Sequence, residues 1–424
     1  MTGVTGVPVD VVGWRRRFHR EPELGFLEYR TAAAVAERLE TLGYDVRLGA
    51  RVLDPALRIG VPEDTETAWQ AALDDGVPRR LLDPMRGGLT GVVARLDGNR
   101  PGPCVALRFD LDALPIAEAA TADHPPAAAG FASAHPGVMH ACGHDGHTAV
   151  GLALAERLAD GDFPGSVRLV FQPAEEGLRG ARAMAIAENL DQVDLCYAFH
   201  LGMGAPTGTV HGGTTGSLAS TKLRVTFTGA AAHAGMTPQE GRNALLAAAH
   251  ATLAVHSLVQ HGSASTRVNV GALVADGTSN VIPAHAVLRL EVRADDSAAC
   301  AGLEERVLVA IESAAAMFGV AVAIEVTGKA PAVVCDPDLV EHVVTVATDV
   351  PGVTEAHARL HDGGSDDASW LIDAVRAQGG RGTYLVVGAT HPSGHHSDRF
   401  DLDERALPIA VDLLARLIGA PPAG

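Results

Sequence analysis

Cysteine is scarce in this chain, with five residues in 424: Cys104, Cys142, Cys196, Cys300 and Cys335. They are odd in number and widely spaced, which excludes a disulfide framework as the source of stability. Positive charge is also in short supply. With 33 Lys and Arg against 51 Asp and Glu, the formal net charge is −18. Nucleic acid and anionic membrane surfaces, which both need clustered cations, are therefore not expected as partners. No uninterrupted apolar run is long enough to span a bilayer, and the N-terminus lacks the basic, apolar and small-residue pattern of a secretory signal, so a cytoplasmic protein is expected. What the chain has is length and apolar content: at 47% hydrophobic residues it can build two domains, each with its own core.

The densest chemistry lies in His140-Ala141-Cys142-Gly143-His144-Asp145-Gly146-His147. Three imidazoles, a thiol and a carboxylate within eight residues suit a borderline divalent ion such as Zn²⁺, Mn²⁺, Ni²⁺ or Co²⁺. A structural zinc staple would show a second Cys/His pair at short spacing, and none is present. Other metal-type groups recur at the ends of strand-like runs. Cys104 to Asp110 leads into Asp110 and Asp112, Ser166 to Phe171 into Glu175 and Glu176, and Leu195 to Leu201 carries His200 near its end. Taken singly, these also read as turn-forming aspartates, a helix-capping glutamate pair and a surface or core histidine, the last two being the commoner reading. Delivery of such groups by three successive strands, where open α/β sheets place their ligands, is the signal. Successive side chains on an extended chain face opposite ways, so one of Glu175 and Glu176 can bind an ion while the other faces the reacting water.

The N-terminal residues 9–48 read as two helices and a strand, with Val35, Leu39 and Leu42 at helical spacing and Gly43 as the stop. Residues 50–90 are polar and broken by Pro and Gly, an excursion with one short helix around Trp69 that serves either as a wall of the site or as a surface loop. From Thr215 the order becomes strand, helix (Asn243 to Gln260), two strands, helix (Ser297 to Phe318), strand. That β-α-β-β-α-β order predicts a ferredoxin-like α+β domain at 215–331, inserted into an α/β catalytic domain made of 1–214 and 332–424.

Together these residues resemble the peptidase M20 family, in its amidohydrolase branch. The resemblance rests on Pro22-Glu23-Leu24, Arg108-x-Asp110-x-Asp112-Ala113-Leu114-Pro115, the His140 to His147 cluster, Phe171-Gln172-Pro173-Ala174-Glu175-Glu176, His200, Asn280-Val281-Ile282-Pro283 and His396-Ser397-x-x-Phe400, in order along almost the whole chain. Within the branch, Gly130 to Ser133, Arg267 to Gly271 and Gly394-His395-His396 look most like the A-subunit group of aminobenzoyl-glutamate utilisation hydrolases.

The resemblance implies a metallo-aminopeptidase-like catalytic domain with an inserted dimerisation or lid domain, and two divalent ions, Mn²⁺ or Zn²⁺. It places the metal ligands at Cys142, His144, Glu176, His200 and His396, with Cys142 as the bridging thiolate. It makes Glu175 the general base, Asp112 the carboxylate that orients the site, His233 the lid histidine that reaches a neighbouring subunit, and Asn280 and Arg293 the holders of the substrate carboxylate. The implied reaction is hydrolysis of an N-acyl amino acid, p-aminobenzoyl-glutamate first, by a homodimer or by a heteromer with a related second subunit. The alternatives are a general amidohydrolase of hippurate or indoleacetyl-amino acid type, and a non-catalytic binding relative. Two positions depart from the family pattern, Asp398 for a proline and Asp366 for a glutamate. His395 adjoins the presumed ligand His396, and spacing alone leaves the choice between them open.

Overall fold

The computed structural model describes residues 10–275 and 277–422. The ends of the expected catalytic span, 1–9 and 423–424, and Asp276 lie outside the described residues. The chain forms two compact units, one of 1–215, 333–362 and 366–424, the other of 216–332 with 363–365.

Its strands, in chain order, are β1 (Asp45–Leu48), β2 (Val92–Asp97), β3 (Arg100–Asp110), β4 (Pro164–Gln172), β5 (Leu195–Leu201), β6 (Thr209–Thr215), β7 (Ala219–Thr228), β8 (Thr266–Ala275), β9 (His285–Ala294), β10 (Ala321–Ala330), β11 (Glu355–His361) and β12 (Arg381–Val387). The first unit is built on an eight-stranded sheet of order β1-β2-β4-β3-β5-β12-β6-β11. Its centre, β4-β3-β5-β12, is parallel throughout.

Every residue of β5 is buried. The alternation that points Tyr197 and Phe199 to one face therefore does not leave the other face wet. Leu195, Tyr197, Phe199 and Leu201 join one apolar layer, and Cys196 and Ala198 join a second layer on the opposite face. A parallel sheet covered by helices on both sides has no solvent face to encode.

The helix that follows the histidine cluster, His144–Leu158, is buried nearly all round. It packs between the sheet and the helices Val11–Arg20 and Ala406–Gly419. Full burial of side chains such as Leu152 and Leu154 stabilises by about 1.5–3 kcal/mol each. Gly143, at φ +92, turns the chain into this helix through the left-handed region that side chains disfavour.

The helix Val11–Arg20 is fastened to the same place by charge. Arg15 Nε lies 2.8 Å from Asp145 Oδ2, with both side chains fully buried. Asp401 and Glu404 take the other guanidinium nitrogens at 2.6 and 3.2 Å, and His19 Nδ1 shares Asp145 at 2.8 Å. Breaking a buried ion pair from one side leaves a charge uncompensated, so Asp145→Ala is expected to cost about 3–5 kcal/mol. The urea midpoint should fall with the slope unchanged; a loss below about 1 kcal/mol would show that Asp401 and Glu404 hold Arg15 unaided.

The second unit is a four-stranded antiparallel sheet of order β10-β7-β9-β8. With the helices Ala244–His256 after β7 and Ser297–Phe318 after β9, the β-α-β-β-α-β order is complete. Asn243 caps the first helix through Leu246 N at 3.0 Å, and Asp296 caps the second through Ala299 N at 2.7 Å. No helix among the described residues is long and apolar enough to cross a membrane.

Candidate metal centre

Four neighbouring parallel strands end on the same edge of the first sheet, at Gln172, Asp110, Leu201 and Val387. Each hands its chemistry to that edge. Asp112 follows β3, Glu175 and Glu176 follow β4, His200 is the penultimate residue of β5, and His395 and His396 lie in the loop after β12. Cys142 and His144 stand at the head of the buried helix.

Ligand atoms of Cys142, His144 and His200 lie within 4.8 Å of one another, and so do those of Cys142, Glu176 and His396. Cys142 is the member common to both groups. His144, Glu175 and Glu176 form a third such group.

Hydrogen bonds aim these atoms. His144 Nδ1 lies 2.9 Å from the carbonyl of Asp112; a carbonyl can only accept, so the proton sits on Nδ1 and the Nε2 lone pair faces the centre. His144 Nε2 is buried without a hydrogen-bond partner. His200 is set the same way, its Nδ1 donating to the Leu201 carbonyl at 2.8 Å while Nε2 lies 3.6 Å from Cys142 Sγ. His147 differs. Its Nδ1 is taken by Asp110, and its Nε2 accepts from Leu201 N at 3.0 Å. With both nitrogens engaged it has nothing to offer an ion.

The Asp112 carboxylate accepts from the backbone N–H of Glu175 at 3.0 Å and of Glu176 at 2.9 Å. The buried Asp112 side chain thus fixes the turn that carries both glutamates, and the backbone carbonyl of the same residue orients His144.

The electrostatics favour a cation. Burial and the Glu176 charge push the Cys142 thiol up to about 12, so a positive ion is needed to make it a thiolate near neutrality. Burial by itself would lower the His144 pKa, yet Asp110 and Cys142 raise it well above the usual range; that negative surrounding favours a positive charge at Nε2, a place that a metal ion can take instead of a proton. Two imidazole nitrogens cleared of other partners, a shared thiol and the buried Glu176 Oε1, which makes no hydrogen bond, match the donor set of a two-ion site.

Beside them lies a carboxylate cluster. Glu175, Asp366 and Asp367 have oxygens within 4.8 Å of one another. Burial, then Asp366 and Glu176, raise the Glu175 pKa well above the usual carboxylate range. The two aspartates are otherwise well held. Asp366 accepts from Tyr384 Oη at 2.7 Å and pairs with Arg108 at 3.2 Å, and Asp367 accepts from Gln172 Nε2 at 2.7 Å and from the N–H groups of Gly180 and Ala181. The sequence marks Asp366 in the 364–367 loop as a departure from the family pattern and carries Gln172 in the 171–176 motif, but it gives neither a partner and does not single out Tyr384. It does carry one signal: a charged Arg108 inside an apolar strand, two residues before Asp110, implies a buried ion pair on one strand face, and the two groups meet at 2.6 Å.

In the second unit, His233 is exposed and its Nδ1 accepts from the N–H of Gly235 and Met236 at 3.2 and 3.1 Å. Asn280 is brought beside it, because Ala234 N donates to the Asn280 carbonyl at 2.9 Å. Arg293, on β9, pairs with Glu291 at 2.9 Å and reaches Ser365 Oγ at 3.3 Å, while its Nε makes no hydrogen bond.

Comparison with known proteins points the same way. The model of "Peptidase family M20/M25/M40" matches residues 106–420. Indole-3-acetyl-aspartic acid hydrolase of Enterobacter agglomerans is 44% identical, over 96% of this chain and 94% of that protein. The A-subunit of p-aminobenzoyl-glutamate hydrolase from Escherichia coli K12 is also 44% identical, over 95% and 94%. Among solved structures, the aminobenzoyl-glutamate utilization protein from Klebsiella pneumoniae superposes with a TM-score of 0.82 at 38% identity, covering 96% of this chain and 94% of that one. A Bacillus subtilis dinuclear metal-binding M20 peptidase superposes with 0.67 at 26% identity, covering 96% of each.

Proposed function

The chain belongs to peptidase family M20/M25/M40, and from that premise we propose that it hydrolyses the amide between an aromatic acyl group and a dicarboxylic amino acid, p-aminobenzoyl-glutamate foremost. The observation that carries the reading is the position of Cys142 in both ligand groups with Glu175 beside them.

Cys142, His144, Glu176, His200 and His396 would hold two divalent ions, Mn²⁺ or Zn²⁺. Such ions, when bound, supply Lewis-acid activation of water and of the scissile carbonyl. Glu175 takes the proton of the attacking water and returns it to the leaving nitrogen, a role supported by its place beside His144 and Glu176. Asp112 keeps that base and the ligand Glu176 in fixed relation through their backbone N–H groups. His233, from the second unit of a neighbouring chain, donates to the developing oxyanion, a contact of about 3–4 kcal/mol. Asn280 and Arg293 bind the amino-acid carboxylate, for which the guanidinium fork is suited.

A homodimer is supported by the exposed Leu246 and Leu253, one heptad apart on one helix of the second unit, and by Val309 and Met317 on the other. The alternative is a heteromer with a different second chain. A cytoplasmic location fits the net charge and the free cysteines.

The test is release of p-aminobenzoate from p-aminobenzoyl-glutamate by the Mn²⁺-reconstituted chain, beside indoleacetyl-aspartate, hippurate and acetyl amino acids. The expected result is highest kcat/KM on p-aminobenzoyl-glutamate. Preference for indoleacetyl-aspartate would keep the chemistry and move the acyl pocket to the other 44% identical relative. Inactivity on the whole panel with two ions bound would overturn the reading.

A further inference from the structure

The loop after β12 carries two adjacent histidines, and the structure gives them different work. Cys142 Sγ has two imidazole nitrogens at 3.6 Å, His200 Nε2 and His395 Nδ1. His200 presents a lone pair there. His395 does not: Met203 N–H points at its Nε2 at 3.2 Å, so Nε2 is the acceptor, and a neutral ring then carries its proton on Nδ1, facing the sulfur. His396 Nε2 turns instead to Glu176 Oε1 at 3.4 Å.

The backbone is bent to achieve this. Met203 and His396 both adopt positive φ, +49 and +63, a conformation costly for residues with side chains and concentrated at functional sites. Gly202 also lies in the left-handed region, at φ +85, and a Cβ there would stand 3.2 Å from His395 Nε2. His396 N is tied to the Ala141 carbonyl at 2.7 Å, next to Cys142. The ring of His395 is wedged between those of His200 and Phe400, at centroid distances of 5.4 and 4.9 Å.

We propose that His395 is a positioning residue that donates its Nδ1–H to the Cys142 sulfur, and that it binds no metal. The proposal rests on the two-ion reading above, with Cys142 as the shared thiolate. An N–H donor on a thiolate lowers the energy of its lone pairs, and the groups around metal ligands tune metal sites in this way. One hydrogen bond then orients the sulfur without occupying a coordination position.

The test uses the full chain loaded with Co²⁺, whose thiolate-to-metal charge-transfer band reports on the sulfur directly. Asparagine places its Nδ2 close to where His395 has Nδ1, whereas glutamine reaches the position of Nε2. His395→Asn is expected to keep the band near its wild-type energy. His395→Gln, and His395→Phe, which fills the ring's space and cannot donate, should shift it to longer wavelength with two Co²⁺ still bound. Identical bands in all four proteins would overturn the proposal and leave the two-ion reading intact. Loss of one Co²⁺ from both His395→Gln and His395→Phe would make His395 a ligand and overturn it as well. Absence of any thiolate band in the wild type would overturn the shared thiolate itself, and the proposal with it.

Discussion

Glu175→Gln is expected to lower kcat by about 10²–10⁴-fold while two metal ions remain bound. Glutamine keeps the shape of the side chain and its acceptor oxygen but cannot take a proton from water. The substitution also removes one charge from a crowded set of acids, since Glu175 shares its surroundings with Asp366, Asp367 and Glu176. Thermal stability should therefore hold or rise, the usual exchange when a strained catalytic carboxylate is neutralised. Metal analysis beside kcat separates the roles: a fall in metal content would make Glu175 a ligand, and retained activity would remove it from proton transfer. The same variant tests His233. Mixed dimers of a Glu175→Gln chain with a His233→Ala chain should regain activity, because one of their two sites then holds an intact Glu175 served by an intact His233. Verified mixed dimers without activity would end the cross-subunit role.

Cys142→Ala should abolish both metal binding at full stoichiometry and turnover. The other proposed ligands split between the two groups that meet at this sulfur, so its loss is expected to weaken both. Replacing a group that merely orients a ligand typically costs 10–100-fold in affinity, and removal of a shared ligand should exceed that. The readout is metal content after dialysis together with activity across a Mn²⁺ titration. Two tightly held ions and undiminished rate in Cys142→Ala would discard the shared thiolate.

Much of the site could be read from residue order, because a parallel sheet delivers its chemistry at strand ends. Asp110, the 175–176 pair and His200 close three apolar runs, and a buried-strand pattern needs no distant information. The edge of the first sheet was harder. β11, Glu-Ala-His-Ala-Arg-Leu-His, is a mostly exposed strand whose apolar face is only Ala356, Ala358 and Leu360, and β6 contains a Gly-Gly pair; both owe their extended form largely to the neighbours that pair with them. In the 50–90 excursion a second helix, Arg79–Met85, forms around Pro84, where proline argues locally against it. The different tasks of His144 and His147, and of His395 and His396, also lay beyond sequence. For His144, His147 and His395 the ring nitrogens are assigned by the groups that meet them, the Asp112 carbonyl, Asp110 with Leu201 N, and Met203 N, a fact of three-dimensional register.

The hydrogen bonds that aim His144, His200 and the 175–176 turn are made entirely within the protein. Those groups stand on elements whose place is set by burial in the fold, His144 on a helix buried nearly all round and His200 on a fully buried strand. Small zinc domains spend much of their metal affinity on organising an unfolded chain. Here the donors are placed by hydrogen bonds and buried elements of the fold, so the choice among divalent ions is expected to rest on supply and coordination preference rather than on an ability to fold the chain.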